Sequence, residues 1–361
     1  MTTESLYDAE LAVALTAIRA AAKISRAVLD SSNKGALLKA DLTPVTVADY
    51  AVQAVLTDTL HSAFPLDGLV GEESSGDLHS NPALVDHVLS LIKECDDGSA
   101  KQAPSTPESL CSLIDLCSAS TPTGPDSGRA WIFDPIDGTA TFLRGEQYAI
   151  NVALLIDGQQ ILSAVACPLL SPTVTPTAPL TNTTLSRTGC ILTAIRGHGT
   201  FLHPLLPTSS SPPPILLPRH CDAVPLSSLR SVTSYNTLPS GLDPLHAQIT
   251  RSLGAAFPDN DLLGWIPRWT ALALGQANMT VWIYRSRTRH AKIWDHAGAM
   301  LLFEEVGGMV TDVDGRPIDL SRGRLLEGNF GFVAAPRGVH HLVLRAVRET
   351  LRKEGRGDLL G

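Results

Sequence analysis

The residues best able to do chemistry are carboxylates. Asp134 and Asp137 stand three apart in Trp131-Ile132-Phe133-Asp134-Pro135-Ile136-Asp137-Gly138-Thr139, where an apolar strand runs into a Pro/Gly turn. Such a turn lets both side chains and an intervening carbonyl face one oxygen-loving cation. A helix beginning near Thr139 would add the backbone N–H groups of Gly138 and Thr139 as an anion site. Taken alone, the segment reads equally as a turn with Asp137 as a helix cap. Three further acidic clusters stand at element ends: Gly71-Glu72-Glu73, Asp295 between Ile293-Trp294 and His296-Ala297-Gly298, and Asp49 beside Thr46. Each alone reads as a cap or a solvated charge. Together, beside apolar sequence, they form the inventory of a multi-metal phosphoryl site.

The elements that must position these groups follow from hydrophobic period. Apolar spacing predicts a helix over about Ala9–Leu29 and a second over about Asp49–Phe64. Gly68–Gly71 and Ala130–Phe133 read as strands. Tyr148–Ile156 and Ile161–Cys167, joined at Asp157-Gly158, read as a hairpin. Asp96–Ser127 reads as a surface insertion around a short helix, Pro168–Thr188 as a loop, and Pro204–Pro218 as a junction or loop. Ile191–Ile195, Ser231–Tyr235 and Thr280–Tyr284 read as strands, with helices over about Arg268–Asn278 and Asp295–Val306. The expected organisation is an α/β protein: an antiparallel α+β half over 1–205 and a smaller α/β half over 206–361.

Composition bounds the function. With 28 Lys+Arg against 36 Asp+Glu, the 361-residue chain has a net charge of −8. It has no basic excess with which to bind polymeric nucleic acid. A small phosphorylated ligand stays in play, because bound divalent cations invert local charge. Apolar residues make up 44% and charged residues 18%, a globular balance. No apolar run approaches a membrane span and the opening residues lack signal-peptide character, so no membrane partner and a cytoplasmic location are expected. Six scattered cysteines without a Cys-x-x-Cys pair are expected to be reduced thiols. His198, His203 and the pair His340-His341 lack metal-ligand spacing.

Asp134-Pro135-Ile136-Asp137-Gly138-Thr139, Gly71-Glu72-Glu73 and Trp294-Asp295-His296-Ala297-Gly298 resemble the three signatures of the magnesium-dependent, lithium-sensitive inositol monophosphatase superfamily. The resemblance spans roughly Asp41 to Gly308. Thr43–Asp49, Phe142–Gln147 and Lys292–Ala297 look most like its fungal 3′(2′),5′-bisphosphate nucleotidase branch. The resemblance implies a layered αβαβα sugar-phosphatase fold with the site between the halves. It implies Glu72, Asp134, Asp137, Asp295 and the Ile136 carbonyl as ligands of two to three Mg²⁺. Asp49 and Thr139 would orient and activate the attacking water, Gly138 and Thr139 would cradle the phosphate, and Glu73 would support the ligands or hold a further ion. The implied reaction is hydrolysis of the 3′-phosphate of adenosine 3′,5′-bisphosphate, or of its 5′-phosphosulfate relative, by metal-activated water. A link to sulfate assimilation and inhibition by Li⁺ are implied with it.

The nucleoside side departs from that branch. Asp-Gly-Thr is followed by Ala140-Thr141-Phe142 where the branch has Lys-Gly-Phe. Tyr235–Gly241, including Ser240, replaces a His/Ser-rich segment. A Ser and a Lys of the branch appear as Trp265 and Arg268. Arg268 is expected to clasp a second phosphate, and Trp265 to stack on a base or pack in the core. The basic run Arg285, Arg287, Arg289, His290 and Lys292 either frames the substrate mouth or solvates a loop. The alternatives are a phosphatase for another small phosphate, such as an inositol phosphate, and a non-catalytic sensor of a phosphorylated ligand.

Overall fold

The computed structural model describes residues 6–31, 34–39, 43–96, 103–122, 128–171, 179–209, 211–222, 224–234 and 241–361. Ser240 and the remainder of 235–240 lie outside them. Helix α1 (Asp8–Asp30) buries a stripe of small and branched residues, from Ala14 and Ile18 to Val28. Helix α2 (Val47–Ala63) starts on a capping box: Thr46 Oγ1 accepts from Ala48 N–H, and the Asp49 carboxylate accepts from Thr46 N–H at 2.7 Å. It is buried almost all round, because α1, α3 (Pro82–Cys95), α4 (Pro107–Ala119) and the main sheet enclose it.

That sheet has seven strands in sequence order: β1 (Gly68–Gly71), β2 (Arg129–Asp137), β3 (Ala149–Ile156), β4 (Gln159–Cys167), β5 (Cys190–Ile195), β6 (Gly199–Pro204) and β7 (Ile215–Leu216). β1 and β2 are parallel; every later neighbour is antiparallel. Asp157 and Gly158, at φ 50° and 75°, make the left-handed two-residue turn that joins β3 to β4.

The two-residue period of β2 divides the interior. Trp131 and Phe133 pack with α1 and α2 on one face. Ala130 and Ile132 face α7 (Trp265–Ala273) and α8 (Ala299–Glu305) on the other. Beyond α7 and α8 lies a second sheet. Its β8 (Val232–Thr233) pairs in parallel with β9 (Asn260–Asp261), and β12 (Phe332–Pro336) lies antiparallel between β10 (Thr280–Trp282) and β11 (Gly308–Thr311). A parallel bridge, Ser231 to Met279, links the two groups. α6 (Asp243–Ser252) and α9 (His340–Lys353) cover the outside. The layers therefore run helix, sheet, helix, sheet, helix.

Several expectations change. β2 continues through Asp137 instead of turning at Pro135. Residues 107–119 form more than a surface insertion, since Leu110, Ile114 and Cys117 are buried against α2 and β1. α7 starts at Trp265, with Pro267 in its first turn where no N–H is needed, and ends at Ala273. Asp295 stands in a single 3₁₀ turn, Ile293–Asp295, and α8 begins only at Ala299. The 204–218 junction contains β7, an edge strand. Helices α3, α6 and α9 were not anticipated from sequence. All six cysteines are free thiols. Among the described residues, no helix is long and apolar enough to cross a membrane.

Candidate functional site

The site begins with an irregularity in β2. Asp134 pairs with Asn151 and Asp137 with Ala149, so three steps on β2 oppose two on β3. In a regular strand, residues three apart face opposite sides. The bulge removes that alternation and brings both carboxylates to one end of the sheet. Pro135, which has no N–H for a ladder, sits within it. Gly138, at φ 87°, then turns the chain into the one-turn helix α5 (Thr139–Leu143).

Asp295 arrives from the other half of the chain. Asn151, opposite Asp134, donates from Nδ2 to the Trp294 carbonyl at 2.9 Å and so holds the 3₁₀ turn against the sheet. Gly298 permits that approach, because a Cβ there would meet Asn151 Oδ1 at 2.2 Å. One carboxylate oxygen from each of Asp134, Asp137 and Asp295 then lies within 4.8 Å of the others.

The cluster is electrostatically costly as built. Burial, followed by the charges of Glu72, Asp137 and Asp295, pushes the Asp134 carboxyl well above the usual range, and its Oδ1 is buried without a hydrogen-bond partner. Burial and neighbouring carboxylates raise Asp295 in the same way. Asp137 is raised to about 7 by burial, opposed by the Ile266 N–H at 2.6 Å and by the Arg268 charge. Asp49 rises to about 6 through burial, opposed by two 2.7 Å hydrogen bonds from Thr46. Converging, partly unpartnered oxygens with no thiol or imidazole among them are the donor set that hard divalent cations such as Mg²⁺ prefer. The residues fit the ion.

Glu72 lies beside this triad and is tied differently: Lys39 Nζ is 3.3 Å and Lys292 Nζ 3.4 Å from its Oε1. Lys39 also pairs with Glu73 at 2.6 Å. Burial and the charge of Glu72 raise Glu73 to about 8. The strand end carrying both is clamped by Gln53, whose amide exchanges two 2.8 Å hydrogen bonds with the Glu73 backbone, and by Arg324, which donates to the Gly71 carbonyl. Thr139 Oγ1 lies 3.3 Å from Asp49 Oδ1 and 3.1 Å from the Ile136 carbonyl. The structure thus gathers Asp49, Glu72, Glu73, Asp134, Ile136, Asp137, Gly138, Thr139 and Asp295. Sequence reasoning missed Lys39, Gln53, Asn151 and Arg324. Isolated polar residues carry no spacing signal, and only tertiary contacts reveal them.

The substrate-side residues fare differently. Arg268 is fully buried: Nε and Nη2 donate to the Leu262 and Leu263 carbonyls at 2.7 and 2.8 Å, and the guanidinium lies 4.3 Å from the Trp265 ring and 4.9 Å from that of Trp282. Burial lowers it to about 10. Ser240 lies outside the described residues. A cleft of about 280 Å³ opens over the carboxylates, with Trp265, Trp282 and Tyr284 along one wall and Arg289, His290 and Lys292 at its rim. Trp265 both packs in the core and lines the cleft. Larger hollows of about 460 and 590 Å³ lie elsewhere, but the converging carboxylates are only here among the described residues.

Comparison with known proteins follows the same lines. The model of the inositol monophosphatase family matches residues 3–352. A 3′(2′),5′-bisphosphate nucleotidase of Schizosaccharomyces pombe is 32% identical, covering 96% of this chain and 97% of its own. A 3′,5′-bisphosphate nucleotidase of Arabidopsis thaliana is also 32% identical, covering 96% and 98%. Among solved structures, an inositol monophosphatase from Anabaena superposes with a TM-score of 0.58 at 17% identity, covering 96% of this chain and 97% of its own. That likeness bears on the fold, which is the layered α/β architecture described above.

Proposed function

The chain belongs to the inositol monophosphatase family, and from that premise we propose that it is a Mg²⁺-dependent phosphomonoesterase that removes the 3′-phosphate of adenosine 3′,5′-bisphosphate. The observation that carries the reading is the triad of buried Asp134 and Asp137 with half-buried Asp295, their oxygens within 4.8 Å and Asp134 Oδ1 unpartnered. The names of the curated relatives support the substrate class.

In this reading the halves 1–205 and 206–361 meet at the site, the first supplying Glu72, Asp134, the Ile136 carbonyl and Asp137, and the second Asp295. Two to three Mg²⁺ held there would offset charge on the phosphoryl group and lower the pKa of water. Asp49 and Thr139 position that water. Thr46 engages Asp49 Oδ2 with both its N–H and its hydroxyl, which leaves Oδ1 toward Thr139 Oγ1 and able to take the proton released. The backbone at Gly138 and Thr139 cradles the phosphate, and Glu73, locked by Gln53 and Lys39, fixes the end of β1.

The test is phosphate release by the purified protein with Mg²⁺ from adenosine 3′,5′-bisphosphate and from inositol 1-phosphate. Turnover of the bisphosphate supports the reading. Turnover of inositol 1-phosphate alone moves the assignment to another small phosphate. Tight nucleotide binding without release from either would make the protein a sensor and sink the enzymatic reading.

A further inference from the structure

The three arginines and the lysine of the basic run at the cleft rim differ in what they are already doing. Arg285 Nε donates to the Gly241 carbonyl at 2.9 Å. Arg287 pairs with Asp314 at 2.7 Å and donates to the Leu359 carbonyl at 2.7 Å. Lys292 is paired with Glu72. Arg289 is exposed, lines the cleft, and makes no ion pair among the described residues.

The turn that carries it is held from outside. Gly361 N–H donates to Asp314 at 2.7 Å, and Arg356 donates to the Arg285 carbonyl at 3.2 Å, so the C-terminal segment braces the approach to Arg289. Past it, Leu326 N–H donates to the Ala291 carbonyl and Ile293 N–H to the Arg324 carbonyl, both at 2.9 Å. A cation with no ion pair among the described residues, carried on a turn whose backbone is held, is available to an anion at the cleft mouth. Arg268 is badly placed to bind one, because it is fully buried, spends two donors on backbone carbonyls, and lies against the rings of Trp265 and Trp282.

We propose that Arg289, and not Arg268, reads the second anionic group of the substrate, while the cleft-lining parts of Trp265 and Tyr284 border its base. The assignment rests on the phosphomonoesterase reading and specifies how this chain selects a bisphosphate over a monophosphate. A guanidinium at a rim takes a phosphate bidentately.

The test compares kcat/KM of the Mg²⁺-loaded enzyme for adenosine 3′,5′-bisphosphate and for adenosine 3′-monophosphate. The wild type favours the bisphosphate. Arg289→Ala reduces that preference by about tenfold, chiefly through KM, and Arg289→Lys retains part of it. Added salt erodes the wild-type preference more than the residual preference of Arg289→Ala. Arg268→Lys, checked for an intact melting transition, keeps the preference. An unchanged preference in Arg289→Ala, or none in the wild type, overturns the assignment. If neither nucleotide releases phosphate, the phosphomonoesterase reading fails. Calorimetric affinities of the same two nucleotides then decide Arg289 separately: equal affinities in the wild type overturn it, and a bisphosphate advantage lost in Arg289→Ala supports it.

Discussion

The floor and the wall of the cleft are built on opposite principles. The floor gathers like charges: Asp134, Asp137 and Asp295 converge within 4.8 Å, and one oxygen of Asp134 has no partner. The wall gathers rings. Trp265, Trp269, His296 and Phe332 stack or meet edge to face at centroid separations from 4.1 to 6.2 Å, and Trp265 also meets Trp282 at 5.7 Å. Arg268, the one charge within the wall, has two of its donors bonded and two rings against it. The floor costs folding energy, whereas the wall supplies it and still lines part of the cleft. Unpartnered polar atoms occur on both sides, at Asp134 Oδ1 in the floor and at Arg268 Nη1, Trp282 Nε1 and His296 Nε2 in the wall, so the convergence of like charges is what sets the floor apart.

The strongest way to sharpen that contrast is Asp134→Asn. It should reduce phosphate release at least about a thousandfold, since a proposed metal ligand and its charge are lost. It should also raise the melting temperature of the Mg²⁺-free protein, because a buried like charge is removed. A lower melting temperature would mean that the Asp134 carboxylate is satisfied in the fold, and the contrast would fail on its own ground. Arg268→Ala is the counterpart in the wall. Emptying the space between Trp265 and Trp282 and orphaning the Leu262 and Leu263 carbonyls should cost about 3 kcal/mol in urea unfolding. A cost below about 0.5 kcal/mol would show that the wall stands without its charge.

Ligand addition probes the same asymmetry. Mg²⁺ at about a hundred times its Kd should stabilise the protein by about 2.7 kcal/mol, read as a rise in melting temperature. Asp134→Asn should lose most of that rise, whereas Arg289→Ala should keep it, because Arg289 touches no carboxylate of the floor. An equal rise in Asp134→Asn would place the cation elsewhere.

The same division decides what could be read from sequence. The floor was legible: Asp134, Asp137, Glu72 and Asp295 each end an apolar run, and paired carboxylates at such ends are a local pattern. The helices α1 and α2 followed from apolar period, and β1 from a short apolar segment. The bulge at Pro135 was not legible, because a Pro between two Asp reads as a turn until the register against Asn151 and Ala149 is known. The wall was illegible for a deeper reason. Arg268 in a Trp-rich segment has the type of a phosphate ligand, and only the packing of Trp265 and Trp282 shows that it is enclosed. Arg289 belonged to a run of five that could frame the mouth or solvate a loop, and only the partners of Arg285, Arg287 and Lys292 set it apart from the other arginines and the lysine. Charge, unlike hydrophobic period, acquires its meaning from tertiary neighbours.

The smallest effect tests the support behind the wall. His246 on α6 lies 4.9 Å from the Trp282 ring, and its Nε2 accepts from the Ile283 N–H at 2.9 Å, which requires that nitrogen to be unprotonated. Burial, then the charge of Arg268, lowers the imidazole to about 3; Asp243 on the same helix, 3.9 Å from Nδ1, is the nearby acid. An unfolded histidine titrates near about 6.5. The folded protein therefore binds fewer protons than the unfolded chain below that pH. The contribution of the neutral ring is complete above about pH 6.5 and is lost as pH falls toward the folded value, the loss amounting to about 1 kcal/mol at pH 5.5. His246→Gln can still accept from Ile283 and cannot titrate, so the difference in urea midpoint between pH 7.5 and 5.5 should be smaller in the variant than in the wild type. Identical pH slopes would mean that the ring gains its proton without unfolding, and that the wall is more open to water beside Trp282 than its packing implies.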